Sequence, residues 1–238
     1  MKRLLLALML SLSAAAHAAQ GAEYVNSYFD LWLKAHDFHA YDKRAEGLYF
    51  PANGALLDGD INEVNELQAG KFYTVESRIS LRFKDGRRLD DFVAGAGTTS
   101  NAAFEDSLQN FCMTTLHPIY AELFDHADPH VRKESWTIGG KPRRVFLAPW
   151  GQRGTPLDAA AQARVEQLLA GELRDEELSG QMHWVKLVLL IAKGKLRTLD
   201  ITVDGVNDKR LQDQFAGFAW AIPANFTVSK FFFVIGQD

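Results

Sequence analysis

The 238-residue sequence predicts an α+β fold: an antiparallel sheet built from successive hairpins, packed by several helices on one side. Three observations predict it. From Tyr73 to Phe83 the odd positions (Tyr73, Val75, Ser77, Ile79, Leu81, Phe83) are largely apolar, while the even ones (Thr74, Glu76, Arg78, Ser80, Arg82) are polar. That alternation suits a strand with one face on a core and one in water. The turn signals Asp85-Gly86, Gly139-Gly140 and Lys193-Gly194 each separate two strand-like runs, as hairpins require. Phe104, Leu108, Phe111, Thr115 and Ile119 recur instead at helical spacing, so a helix follows the first hairpin.

The chain opens with a leader. Met1-Lys2-Arg3 is cationic, Leu4 to Leu12 is an apolar core, and Ala16-His17-Ala18 offers the small-x-small pattern that signal peptidases cut. Residues 1–18 are expected to be removed after Ala18, delivering residues 19–238 to the periplasm of a Gram-negative bacterium. Those residues are expected to form a single α+β domain, with 19–57 open to being an appendage. Within that stretch Val25, Tyr28, Trp32 and Ala35 mark an amphipathic helix over Ala22 to His36. The pattern loosens from Tyr41 to Leu57, with a short strand suggested at Leu48–Phe50.

After the first hairpin, Tyr73–Phe83 and Arg88–Ala94, Thr99 or Ser100 can cap the long helix. Pro118 should kink that helix or divide it after about Thr115. A second hairpin spans Val131 to Trp150, and a helix runs from Pro156 and Asp158 to about Leu169 with Val165, Leu168 and Leu169 inward. A third hairpin covers His183 to Val203. Its first strand, apolar on both faces, belongs at the centre of a sheet. A short helix near Asp208 to Phe218 and a last strand, Phe226 to Ile235, complete the order. The most apolar run, Trp184 to Ala192, is far shorter than the roughly 20 residues a membrane helix needs, so no transmembrane segment is expected.

Removing Lys2 and Arg3 with the leader leaves 24 basic against 30 acidic residues, a net charge of −6. A mildly acidic chain without a basic patch is poorly suited to nucleic acid. Cys112 is the only cysteine, so no intramolecular disulfide forms and packing must hold the fold. The 16 Phe and 5 Trp supply material for that core.

The positions Phe83, Gly86, Leu89, Phe92, Gly95-Ala96-Gly97-Thr98-Thr99, Ala103, Phe111 and His117, followed by the hairpin around Trp136, resemble an uncharacterised bacterial domain family of unknown function. The resemblance covers roughly Tyr73 to Trp150. It implies a fold but no catalytic residues.

Candidate chemistry is sparse. Gly95-Ala96-Gly97-Thr98-Thr99 between strand and helix can bring backbone amides to a phosphate, but position 100 is Ser and the strand sits in an antiparallel hairpin, unlike a dinucleotide-binding unit. A plain turn is the simpler expectation. His126, Asp128 and His130, with Asp125 and His117 nearby, have ligand types that suit a divalent metal; Asp128-Pro129 is equally good turn chemistry. Cys112 beside an apolar stripe reads as a buried, inert thiol. The acid pairs Asp58 with Asp60 and Asp90 with Asp91, and the run Asp175-Glu176-Glu177, fit loops or exposed helix ends. Arg87-Arg88 and Arg143-Arg144 fit solvated faces. Phe38, Tyr41, Tyr49 and Phe50, in a loosely patterned segment, suit a partner-binding surface. No cofactor is expected. Together these readings point to a periplasmic, non-enzymatic protein that binds another protein, such as an inhibitor or an immunity factor against a secreted toxin. The alternatives are a metal-assisted hydrolase using His126, Asp128 and His130, and a small-ligand carrier.

Overall fold

The computed structural model describes residues 56–83, 86–124, 129–149, 151–154, 157–175, 178, 182–192, 195–216 and 227–236. The chain forms two compact units, Met1–Cys112 and Met113–Asp238. The expected α+β class and antiparallel hairpins are both present.

In the first unit β1 (Leu56–Ala69), β2 (Phe72–Phe83) and β3 (Arg88–Gly97) form a sheet in the order β1-β2-β3. Both pairings are antiparallel. The alternation in β2 does what it predicts: Val75, Ser77, Ile79 and Leu81 are buried, while Glu76 is exposed. Helix α1 (Ser100–Phe111) packs on β2 and β3 through Ala103, Phe104, Leu108 and Phe111. Ser77 Oγ and Ser107 Oγ share a hydrogen bond of 2.9 Å across that interface, which removes the penalty of burying two hydroxyls. Thr99 is the N-cap, accepting from the Ala102 amide at 3.2 Å.

The helix then widens into a π turn, Cys112–Leu116, before α2 (His117–Phe124). Pro118 has no amide proton for the carbonyl four residues back, and a widened turn just before it accommodates that loss. The division expected after Thr115 is therefore a change of helix type.

The second unit holds β4 (Arg132–Ile138), β5 (Lys141–Leu147), β6 (Gly151–Gly154), β7 (His183–Ala192), β8 (Lys195–Val203), β9 (Val206–Asn207) and β10 (Thr227–Ile235). The strand order is β4-β5-β10-β7-β8-β9, with β6 also paired to β10. The last strand thus enters the middle of the sheet, between β5 and β6 on one side and β7 on the other.

Helices α3 (Ala159–Glu172) and α4 (Lys209–Ala216) supply Val165, Leu169, Leu211 and Phe215 to a core with Leu187, Leu189, Phe231, Phe233 and Ile235. The Trp136 and Phe233 rings meet at 4.9 Å between centroids, tilted by 54°. The Phe233 side chain, fully buried, contributes roughly 1.5–3 kcal/mol. On β10 the alternate residues Phe232 and Val234 are also buried. Helix α2 contacts β5 and β10, and Lys230 Nζ donates to Thr114 and Thr115 at 3.2 Å on this side. Helices therefore lie on both faces of this sheet, not on one side as the sequence suggests, which explains the unbroken apolar runs 187–192 in β7 and 231–235 in β10.

Candidate functional site

The residues singled out from the sequence fall unevenly on the fold. His126 and Asp128 lie outside the described residues. His130 is exposed in the turn before β4, and its ring lies 5.1 Å from that of buried His117, tilted by 58°. Among the described residues no three His, Cys, Asp or Glu side chains gather where they could hold a metal ion. Phe38, Tyr41, Tyr49 and Phe50, the expected leader over residues 1–18 and the expected helix over Ala22–His36 also lie outside the described residues.

The glycine-rich turn serves packing. A Cβ on Gly95 would collide with the Ala103 carbonyl and the Ser107 amide, and one on Gly97 would sit 2.6 Å from the Ala103 amide nitrogen. The backbones of β3 and α1 approach so closely that neither position has room for a side chain. Cys112 is buried, and burial pushes its thiol well above the ordinary range, so little reactive thiolate forms.

Three expectations about charged residues need correction. Asp58 and Asp60 stand in β1, and Asp90 and Asp91 in β3, not in loops or at helix ends. Arg143 is buried, not solvated. It reaches Asp175 through Nε at 3.0 Å and through a second guanidinium nitrogen, while Lys141 Nζ meets the other carboxylate oxygen at 2.6 Å. Hydrogen bonds from Lys141 and then Arg143 hold the Asp175 carboxyl below the usual range. This clamp fastens the β4–β5 hairpin to the segment after α3.

One histidine pair escapes sequence reading. His183 Nδ1 lies 2.5 Å from Asp204 Oδ2, and Asp204 Oδ1 accepts from the Trp184 amide at 3.0 Å. His183 Nε2 is buried without a hydrogen-bond partner. The carboxylate fixes the ring's orientation and tautomer, as in the base half of many hydrolytic sites. Here, however, Asp204 and Gly205 both have positive φ, 50° and 80°, the requirement of a type I′ turn between β8 and β9. The pair ties that turn to the start of β7. The Asp-Gly turn is legible in the sequence, but its histidine partner, 21 positions earlier, is not.

The most distinctive surface is the side of the three-stranded sheet turned away from α1. Directly paired residues share a face, so Leu67 opposite Thr74, and Phe92 opposite Arg78, join Phe72 and Glu76 there. Leu67, Phe72 and Phe92 are 66%, 62% and 54% exposed, high for large apolar side chains. Arg78 lies over the Phe92 ring, 5.8 Å from its centroid, and 3.6 Å from Asp90. Arg88 Nε donates to Asp90 at 2.8 Å, and Ser80 Oγ donates to it at 2.5 Å. Partial burial raises the Asp90 carboxyl, but the Ser80 and Arg88 hydrogen bonds and the two arginine charges outweigh it and leave it lowered. The result is a fixed set of charges around an exposed aromatic ring.

Residues 50–237 match the model of a family described as "Family of unknown function (DUF6348)". The chain belongs to this family. The DUF6348 match takes in all the described strands and helices, well beyond the Tyr73–Trp150 stretch whose glycines and aromatics suggested a family of unknown function. No curated protein and no solved structure matches the chain.

Proposed function

We propose that this DUF6348 member is a periplasmic, non-enzymatic protein that binds another protein. Its most concrete form is an inhibitor or immunity factor that neutralises a secreted toxin. The observation that carries this reading is the outward sheet face with Phe72, Phe92 and Arg78. Aromatic and arginine side chains are the types that dominate binding energy at protein interfaces. The Phe92 ring, with Arg78 and Asp90 already positioned around it, loses little freedom on binding, so less of the contact energy is offset by ordering. The leader, residues 1–18, supports export and hence a partner met in the periplasm or beyond. Affinity capture of the tagged exported chain from periplasm and culture fluid tests the reading. A single stoichiometric partner that is not retained by a Phe92→Ala/Arg78→Ala chain is the expected result. Equal retention by both chains, or no partner, counts against it.

A second reading, a metal-assisted hydrolase using His126, Asp128 and His130, draws support from the proximity of the His117 ring to His130. It predicts one divalent ion per purified chain, lost in His130→Ala. A chain that takes up no zinc in equilibrium dialysis at neutral pH, with its fold intact, contradicts it.

A further inference from the structure

Strand β3 lies at the edge of its sheet, pairing within the described residues only with β2. Edge strands present unpaired amides and carbonyls that can template pairing with another chain. In an antiparallel ladder each residue turns both its N–H and its C=O either toward its neighbour or away from it. Ala94 and Ala96 turn theirs away, since α1 side chains meet them: Asn110 Nδ2 donates to the Ala94 carbonyl at 2.9 Å, and the Ala96 amide donates to Asp106 Oδ2 at 2.8 Å. Asn110 Nδ2 and Asp106 Oδ2 lie 3.4 Å apart, linking the two. The spacings match. Four helical residues rise about 6 Å, and two strand residues about 6.6–6.8 Å. A helix running antiparallel to the strand can therefore set the i and i+4 side chains against alternate backbone groups.

We infer that Asp106 and Asn110 guard the β3 edge against edge-to-edge pairing with a second copy of this chain. The two side chains do what a neighbouring strand would do: one supplies a donor to the outward carbonyl, the other an acceptor to the outward amide. Ala94 and Ala96 carry no bulk that would otherwise hinder an approaching strand, and Gly95 and Gly97 cannot take on bulk because of α1. Hydrogen bonding is thus the protection available over this half of β3. The identity of the two side chains follows from their tasks, because a carboxylate only accepts and an asparagine amide donates.

The test is the mass of the purified chain by sedimentation velocity over a hundredfold concentration range, with circular dichroism as the check on fold. Asp106→Ala/Asn110→Ala is expected to self-associate at concentrations where the parent does not. Adding Ala96→Pro, which removes the uncovered amide, should return it to the parent's mass, because proline is tolerated at an edge but cannot donate to a new ladder. If the alanine pair fails to fold, Asp106→Ser/Asn110→Ser carries the same test, since serine is too short to reach the strand. A folded variant with the parent's mass at every concentration overturns the inference. So does self-association that Ala96→Pro leaves unchanged.

Discussion

Gly139 and Asp175 meet so closely that a Cβ on the glycine would lie 2.5 Å from that of the aspartate, and Gly139 also has φ of +56°. The turn is thereby held against the carboxylate that pairs with Lys141 and Arg143. The Asp175 carboxyl is lowered in the folded chain, as is that of Asp90. Each contributes stability that is fully present above the ordinary value of 3.8 and is lost as pH falls through the lower folded value. The urea midpoint is therefore expected to fall as pH is lowered from 5 toward 2.5. Asp175→Asn should lower the midpoint at pH 7 and flatten that acid limb; an unchanged limb would mean the ion pairs contribute nothing. Cys112 gives a second check. Its buried thiol should resist iodoacetamide at pH 8 in the native chain and react within minutes in 6 M guanidinium, whereas rapid native labelling would contradict its burial.

At the level of elements, the β3–α1 turn carries the sharpest expectation. Gly97→Ala forces a methyl group against the α1 backbone and should cost about 1–3 kcal/mol, the usual range for overpacking, read as a lower denaturation midpoint. A neutral effect would mean that β3 and α1 are farther apart than described. The same scale explains what the sequence discloses. Strict alternation announced β2, and Gly139-Gly140 and Asp85-Gly86 announced their hairpins. Strand β1 was not legible because register shifts between Leu56 and Asp58, and between Ile61 and Glu63, break its period of two. Asp58 and Asp60 consequently looked like loop acids. Helix α4 was legible from Leu211 and Phe215, four apart and both buried. The two-residue β9 was too short to carry any pattern. The candidate surface was less legible than the fold. Phe92 and Arg78 lie fourteen positions apart, and only the β2–β3 register makes them neighbours.

For the molecule as a whole, the proposed function has a chain of net charge −6 once residues 1–18 are removed meeting a protein partner through the exposed outward face of the first unit. The second unit's sheet has buried apolar residues on both of its faces, so both faces contribute to its packed core. In the proposed function, the outward face of the first unit is the recognition surface. Truncating one central aromatic anchor of an interface typically costs 2 kcal/mol or more, a roughly thirtyfold loss of affinity. The measurement that tests this most directly is titration calorimetry of the captured partner against the parent chain and against folded Phe92→Ala. At least about tenfold weaker binding is expected for Phe92→Ala. Equal affinity for the two chains would contradict it.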